Sequence, residues 1–499
     1  MSPRNFLVWA LLGTTAARLF WQFARPLTPG ECYLALCGFL PSFAYFDGPG
    51  GTPLLVAWGI SSAGSGGFGA AFFWPLLAAV ASVFAYFLVA ALAGPREGLA
   101  VAVLLNLLPV FNEAALVPSC AMPLVTAALG ASLCAWHALD KNSAGWWAGA
   151  GSSAAFGLFF TYTAWFLMPA LGLVLLFSHR WRRRLAAPGF WLAWVPPAAV
   201  YLLLLRWNND NGWVHFIGGT WKTAFSVDAS RLPSAIVDSA LAVTPFVLGA
   251  IALGTVFAFG RLRLSPKIKF ITVPALAATL AAVYAALRGW PLQTPGLLAA
   301  TLALPLVAWL PSRLGEARTG IILSVVFLGT AAWTALTLPR PPSATLVDAG
   351  VGATVAGLRS EYSDPSAPPL FLVAENAPLA SALALALPAG TPAFPGHPPI
   401  YTTESPAARS QFDLWPRYDQ FVEQGQTAAP EAVDPFTEQD GGNPFMGRTA
   451  LYITTQTSEM LPQSITAAFA EVQLLGELTA PDGTILRVYL CSDYQTMPL

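Results

Sequence analysis

The chain has 499 residues, of which 55% are hydrophobic and only 10% are charged. Soluble domains carry about 25% charged residues, so this composition excludes a soluble enzyme, a disordered chain and a nucleic-acid-binding protein with a basic surface. Residues 1–339 hold 19 basic and 9 acidic side chains, whereas residues 340–499 hold 6 basic and 17 acidic ones. We therefore predict a polytopic α-helical membrane domain at 1–339 and a soluble domain at 340–499.

About eleven segments of the first domain are apolar enough for membrane spans, although some are shorter than the roughly 20 residues that a bilayer needs. They lie at about 5–23, 70–93, 99–117, 119–138, 146–160, 163–178, 188–206, 236–259, 270–288, 294–311 and 319–338. With a cytoplasmic N-terminus, the cytoplasmic turns hold 13 basic residues and the outer side six, as the positive-inside rule requires. An odd number of spans then makes the acidic domain extracytoplasmic.

The first outer loop, about 24–69, contains two carboxylates in polar surroundings. Glu31 follows the turn residues 28–30, and it is either a general base or a first-turn carboxylate favoured by the helix dipole. Asp47 precedes a Gly-Pro-Gly-Gly run, and it is either functional or an Asx-turn residue. Long loops in compact proteins are usually functional, so we expect the chemistry to face outward.

Further polar residues lie near the outer ends of later spans. Glu113, beside Asn112 in the third span, is either functional or simply solvated. The second long outer loop, 207–235, carries side chains able to bind a polar head group, namely Asn208, Asp210, Trp213 and His215. The alternative is an interfacial tryptophan belt with an Asn/Asp turn. Asp47 and His215 are residue types that bind zinc, so a divalent metal is possible, but two separated ligands define no metal site.

Three arginines lie near the outer interface, where their guanidinium groups could pair with an anionic group. They are Arg18, Arg25 and Arg206. Snorkelling to lipid head groups is the alternative for each of them. The five cysteines form no CxxC and no zinc-finger spacing, so we expect buried thiols.

The soluble domain has the periodicity of an α/β or α+β fold. Strands are predicted at 370–375, 450–456 and 484–491, and helices at 345–359 and 462–473. A long surface loop is predicted at 424–446, where Gln, Glu, Pro and Gly are frequent.

Several motifs along nearly the whole chain resemble those of bacterial GT-C glycosyltransferases of the dolichyl-phosphate-mannose–protein mannosyltransferase and aminoarabinose-transferase type. The matching stretches are Gly30-Glu31-Cys32-Tyr33-Leu34, Tyr45-Phe46-Asp47, Val56-Ala57-Trp58, Trp207-Asn208 with Trp213 and Phe216, Gly289-Trp290-Pro291, and 409–415. The resemblance implies a GT-C fold and a polyprenyl-phosphate-linked sugar donor. It implies catalytic roles for Glu31, Asp47 and Glu113, and donor-binding roles for Tyr33 and Tyr45. It also makes the three outer arginines candidate partners of the donor phosphate, namely Arg18, Arg25 and Arg206.

This sequence also departs from the family pattern at four positions. The usual Asp, His, Asp and Lys are replaced by Gly30, Gly48, Ala121 and Thr161. The sequence-based expectation is an integral-membrane glycosyltransferase of the bacterial inner membrane, which transfers sugar to a lipid, glycan or protein acceptor on the outer face. The first alternative is a catalytically degenerate homologue that binds lipid-linked sugar or a protein partner. The second is a transporter, which the absence of repeated halves disfavours.

Overall fold

The computed structural model describes residues 2–23, 25–217, 229–259, 265–288, 293–309, 315–337, 345–363, 370–388, 391, 397–405, 408–419, 443–456 and 461–495. The chain forms two compact units. One, here called the helical unit, comprises Met1–Ala24 and Gly48–Pro341. The other, here called the sheet unit, comprises Arg25–Asp47 and Pro342–Leu499.

The helical unit consists mainly of apolar helices. Within its described residues these are α1 (Pro3–Gln22), α3 (Gly51–Ala63), α4 (Gly67–Ala71), α5 (Phe73–Leu92), α6 (Pro95–Leu107), α7 (Pro109–Leu116), α8 (Ala121–Lys141), α9 (Ala144–Leu158), α10 (Leu167–Phe177), α11 (Pro188–Leu192), α12 (Val195–Asp210), α13 (Val214–Ile217), α14 (Leu232–Val243), α15 (Pro245–Phe259), α16 (Pro266–Leu287), α17 (Gln293–Ala303) and α18 (Glu316–Thr337). Short 3-10 helices occupy Tyr162–Phe166, Arg182–Ala186, Ala229–Arg231 and Leu304–Trp309, and a two-residue strand β2 occupies Gly48–Pro49.

Each of the eleven predicted spans coincides with one of these helices or with two helices in succession. Five helices of the described residues are long and apolar enough to cross a membrane, or six when a bent pair is counted as one span. The chain is therefore a multi-pass membrane protein. The finer number of eleven stays a prediction, because spans such as α9 and α15 are only 15 residues long.

The bent pair is α6 and α7, whose axes differ by 67°. Pro109 begins α7 and has no N–H, so the ladder of helical hydrogen bonds breaks there. Asn112 compensates: its Nδ2 donates to the carbonyl oxygens of Asn106 at 2.8 Å and Leu108 at 3.0 Å. The bend is thus stabilised by a side chain that satisfies the backbone at the break.

The sheet unit is a mixed sheet with helices, and it includes α2 (Pro29–Phe39) from the first loop. Its other helices are α19 (Ala349–Tyr362), α20 (Ala377–Ala386) and α21 (Gln463–Thr466), with a 3-10 helix at Gln411–Asp413. Its strands are β1 (Ala44–Tyr45), β3 (Phe371–Ala374), β4 (Tyr401–Thr402), β5 (Ala450–Thr454), β6 (Phe469–Thr479) and β7 (Ile485–Tyr494). The five-stranded sheet has the order β4-β3-β5-β7-β6, in which β3 is parallel to β4 and β5, and β7 is antiparallel to β5 and β6.

Strand β3 is buried on both faces, as strands of parallel sheets usually are. Leu372 and Ala374 join an aliphatic core on one face, and α2 contributes Cys32 and Leu36 to that core. Phe371 and Val373 join a core on the other face that is rich in aromatic side chains. The first outer loop therefore supplies part of the core of the sheet unit.

At the carboxyl ends of the parallel strands, the Glu375 carboxylate collects hydrogen bonds from the end of β5. Its Oε2 accepts from the Thr454 hydroxyl at 2.8 Å and from the hydroxyl and backbone N–H of Thr455 at 2.9 Å each. Gln456 Nε2 donates to Oε1 at 2.9 Å. Burial raises the pKa of Glu375, but these hydrogen bonds outweigh it and lower the pKa below the ordinary 4.5.

The strands predicted at 370–375, 450–456 and 484–491 correspond to β3, β5 and β7, and the helix predicted at 345–359 corresponds to α19. The predicted helix at 462–473 is wrong beyond its first turn, because β6 starts at Phe469. Pairing with β7 over its whole length outweighs the local helical tendency of the Ala-rich stretch. Most of the predicted loop at 424–446 and the domain boundary near 340 lie outside the described residues.

Candidate functional site

Glu31 is at the start of α2, and its carboxylate is engaged by its own neighbours. Thr28 and Glu31 form a capping box, in which the Thr28 Oγ1 accepts from the Glu31 N–H at 3.3 Å. In return Glu31 Oε2 accepts from the Thr28 N–H at 2.9 Å. Arg25 donates to both carboxylate oxygens, at 2.8 Å to Oε2 and through a short contact to Oε1. Glu31 is only 3% exposed. It therefore forms a buried bidentate ion pair with Arg25 at the N-terminus of α2.

Asp47 has the opposite character, because it is exposed at the end of the same segment. Its Oδ2 accepts a 2.6 Å hydrogen bond from the hydroxyl of Tyr33, which lies on α2. The pKa of Tyr33 is raised far above its ordinary value, mainly because the hydroxyl is shielded from water and also because Cys37 and Asp47 are nearby. The phenol therefore stays protonated and serves as a permanent donor to an accessible carboxylate.

Tyr45, another predicted donor-binding residue, is buried and holds the loop together. Its hydroxyl accepts from the Ser42 N–H at 2.9 Å and donates to the Leu40 carbonyl at 3.2 Å. Burial is the main reason that the pKa of Tyr45 is raised to about 12. These contacts fix the turn that leads from α2 to Asp47.

Gln411 also contacts this segment, from the 3-10 helix of the sheet unit. Its backbone N–H donates to the Tyr33 hydroxyl at 2.9 Å, and its side-chain Oε1 accepts from the Phe46 N–H at 2.8 Å. The stretch 409–415 resembles a family motif, but the sequence does not predict its partner in the first loop. No local signal exists for a contact between residues separated by 378 positions in sequence.

Arg18 lies in α1 within the helical unit and is 6% exposed. Its Nε and Nη2 donate to the Oδ1 of Asn112, at 3.2 and 2.8 Å, and its guanidinium lies 5.6 Å from the centre of the Phe111 ring. Arg18 is thus tied to the bend between α6 and α7. Glu113, the next residue after Asn112, is exposed.

Asn208 and His215, two predicted head-group ligands of the second loop, lie in contact with each other. Asn208 Nδ2 is 3.0 Å from the His215 Nδ1, and the His215 N–H donates to the Asn208 Oδ1 at 3.2 Å. Gly212 and Trp213 both have left-handed backbone conformations, with φ of 66° and 58°, and this tight turn brings His215 back to the end of α12. The imidazole stacks on the Trp207 ring at 4.9 Å.

Tyr162 completes this group and was not predicted. Its hydroxyl is 2.8 Å from the His215 Nδ1 and accepts from Asn208 Nδ2 at 3.0 Å. Because the neighbours of Nδ1 are donors, Nδ1 acts as the acceptor and the ring proton is assigned to Nε2. Tyr162 follows Thr161 in the Phe-Thr-Tyr-Thr stretch, but nothing in the sequence indicates that its side chain contacts the second loop. Arg206 and Asp210, at the end of α12, are exposed.

The described residues contain no group of three or more His, Cys, Asp or Glu side chains able to hold a metal ion. The possible divalent metal therefore stays a prediction from Asp47 and His215 alone. The predicted Trp-Pro loop at 289–291 and residues 218–228 of the second outer loop are outside the described residues.

A family model for dolichyl-phosphate-mannose-protein mannosyltransferases matches residues 47–207 of this chain. The apo crystal structure of ArnT from Cupriavidus metallidurans is similar with a TM-score of 0.57 and 14% identity, over 97% of each chain. The structure of the same ArnT bound to undecaprenyl phosphate gives a TM-score of 0.59 and 13% identity, again over 97% of each chain. No sequence among the curated proteins matches. The chain therefore has an ArnT-like fold, and about a third of it, residues 47–207, is similar to the mannosyltransferase family.

Proposed function

We propose that this chain is an integral-membrane glycosyltransferase that moves a sugar from a polyprenyl-phosphate-linked donor to a lipid, glycan or protein acceptor. The reaction takes place on the outer face of a bacterial inner membrane, with the N-terminus in the cytoplasm and the sheet unit outside. The similarity to ArnT, which has been crystallised with undecaprenyl phosphate, supports a lipid-linked donor. The match of residues 47–207 to the mannosyltransferase model supports sugar transfer.

This reaction requires two functions from the protein. The donor carries its own leaving group, a polyprenyl phosphate, so the enzyme must activate an acceptor hydroxyl or amine and neutralise the departing phosphate. A carboxylate that serves as base must have an oxygen accessible to the acceptor. A cation that serves the phosphate must be able to turn toward it.

Asp47 is the carboxylate that fits this requirement, and it is the observation on which the proposal rests. It is exposed, and the hydroxyl of the half-buried Tyr33 holds it in one orientation at 2.6 Å. Glu31, by contrast, accepts hydrogen bonds from Arg25 and Thr28 that leave it in a structural role. We assign the base to Asp47, with the exposed Glu113 as a candidate assistant.

Arg206 is the corresponding choice among the predicted phosphate partners. It is exposed on α12, two residues before Asn208, which groups with His215 and Tyr162. Arg25 is paired with Glu31, and two of the nitrogens of Arg18 are committed to Asn112. We assign the sugar and its head group to Asn208, His215 and the neighbouring tryptophans, since an aromatic face with fixed polar groups suits a sugar.

A second candidate is a degenerate homologue that binds lipid-linked sugar or a protein partner without turnover. Three replacements favour it: Gly30 and Ala121 stand where the family has Asp, and Thr161 stands where it has Lys. The engagement of Glu31 by Arg25 also favours it, because the one carboxylate beside the missing aspartate is not available as a base.

The test is release of polyprenyl phosphate from a radiolabelled polyprenyl-phosphate sugar by the full chain in lipid nanodiscs. We expect Asp47→Asn to lower turnover about 100-fold or more, because general-base catalysis contributes on that order, while the thermal unfolding midpoint stays unchanged. Glu471→Gln, which alters an exposed carboxylate on β6, is the matched control and should be fully active. Wild-type protein that binds the donor without turnover would favour the degenerate homologue, and full activity of the Asp47 variant would exclude Asp47 as the base.

A further inference from the structure

Gln411 contacts the segment that carries Asp47 at two points, Tyr33 and Phe46. Its backbone N–H donates to the hydroxyl of Tyr33, the same hydroxyl that donates to Asp47. Its side-chain Oε1 accepts from the backbone N–H of Phe46, the residue before Asp47. Gln411 is 5% exposed, so its side of these two hydrogen bonds is shielded from water.

The first contact determines where the Tyr33 proton points. A phenol has one O–H to donate and an oxygen that can accept. The Gln411 amide supplies a donor to that oxygen at 2.9 Å, which directs the O–H toward the Asp47 oxygen at 2.6 Å. The second contact fixes the backbone from which the Asp47 side chain extends. Together they restrict both the carboxylate and its hydrogen-bond donor.

Gln411 is itself held on a rigid support. Ser410 and Asp413 form a capping box around its 3-10 helix, and Asp413 Oδ1 accepts from Arg417 Nη1 at 2.8 Å in a buried ion pair. Phe412, the following residue, stacks on the Tyr33 ring with centres 6.4 Å apart. The neighbours of Gln411 thus hold it in place against α2.

We propose that Gln411 is a positioning residue for the Asp47 carboxylate, acting through Tyr33 and the Phe46 backbone. This inference rests on the proposed function, since it presupposes that Asp47 is the base. A base displaced by about 1 Å can lose two orders of magnitude in rate, so a residue that fixes Asp47 controls the rate without touching substrate. The stretch 409–415 of the sheet unit thereby has a role in the chemistry of the first loop.

Gln411→Met keeps the length and packing of the side chain but removes the acceptor for the Phe46 N–H. We expect kcat to fall about 10- to 100-fold while KM for the polyprenyl-phosphate sugar stays within about twofold, because the buried Gln411 offers almost no surface to a donor. Gln473→Met, on the exposed side of β6, is the matched control and should behave like the wild type.

Hydrogen exchange of the peptide covering residues 44–47 in the full chain provides a readout that a general loss of folding would not mimic. Exchange should accelerate there in Gln411→Met and remain protected in β3 and β5. Wild-type kcat in Gln411→Met, or unchanged exchange at 44–47, would overturn this inference while leaving the proposed function intact. A wild-type protein without turnover would overturn both.

Discussion

The pair of Arg25 and Glu31 gives a prediction that separates folding from catalysis. Glu31→Gln keeps the size of the side chain and part of the capping box, but it removes the charge that Arg25 binds with two nitrogens. Both side chains are almost completely buried, at 3% and 4% exposure. We therefore expect the variant to lose stability in the sheet unit, to which both residues and the core contacts of α2 belong.

The magnitude follows from the burial of the pair. Removing one partner of a buried, hydrogen-bonded ion pair costs about 3 to 5 kcal/mol, because the remaining charge keeps its desolvation cost. For a unit of 150 to 250 residues, each kcal/mol lowers the unfolding midpoint by roughly 2 to 4 °C. Glu31→Gln should therefore lower the midpoint of the sheet unit by roughly 6 to 20 °C.

The assay is thermal unfolding of the full chain in detergent, combined with hydrogen exchange of α2 to identify the sheet unit. Arg25→Met with Glu31→Met replaces the pair by apolar side chains, and we expect this double variant to be more stable than either single variant. An unfolding midpoint of Glu31→Gln within a degree of the wild type would refute the reasoning. So would a double variant whose loss equals the sum of the two single losses.

Two further predictions concern the sheet unit. Gly352→Ala on α19 should cost about 1 to 3 kcal/mol of unfolding free energy, because the new Cβ would lie 2.1 Å from the Ala386 carbonyl oxygen. The matched control is Gly357→Ala on the same helix, where a Cβ has open space and the change should be neutral or stabilising. Denaturant unfolding of the two variants measures the difference. Because the pKa of Glu375 is lowered on folding, its stabilisation is complete above the unfolded pKa and is lost as the pH falls through the folded value. Glu375→Gln should therefore make stability less dependent on pH between about 5 and 3, and equal acid sensitivity in both proteins would contradict this.

The helices of the membrane domain were predictable because their signal is local. Runs of apolar residues specify where helices form, and each predicted span contains one. Their lengths were less predictable, because breaks depend on single residues such as Pro109 and Thr244, at which two segments split into pairs of helices. Strand β6 was missed since its conformation depends on pairing with β7, whose register is set by tertiary contact.

The candidate site divides in the same way. The capping box of Thr28 and Glu31 could be recognised from the Thr-x-x-Glu spacing, and the structure contains it. The ion pair with Arg25 could not, because it requires the chain to fold back over the turn at 28–30. The composition of the second loop indicated Asn208 and His215. The roles of Tyr162 and Gln411 could not be predicted, because they depend on contacts between residues far apart in sequence.

The grouping of Arg25–Asp47 with Pro342–Leu499 makes the sheet unit discontinuous along the chain. During biosynthesis α2 is completed first, and residues 48–341 must then be translated before its partners exist. At about 5 to 20 residues per second, this interval lasts roughly 15 to 60 seconds. For that time Cys32 and Leu36 lack the strands that later cover them, so α2 exposes apolar side chains until the sheet is synthesised. A recombinant fragment that starts at 342 would lack a piece of its own core, and a soluble version of this unit needs α2 joined back to it.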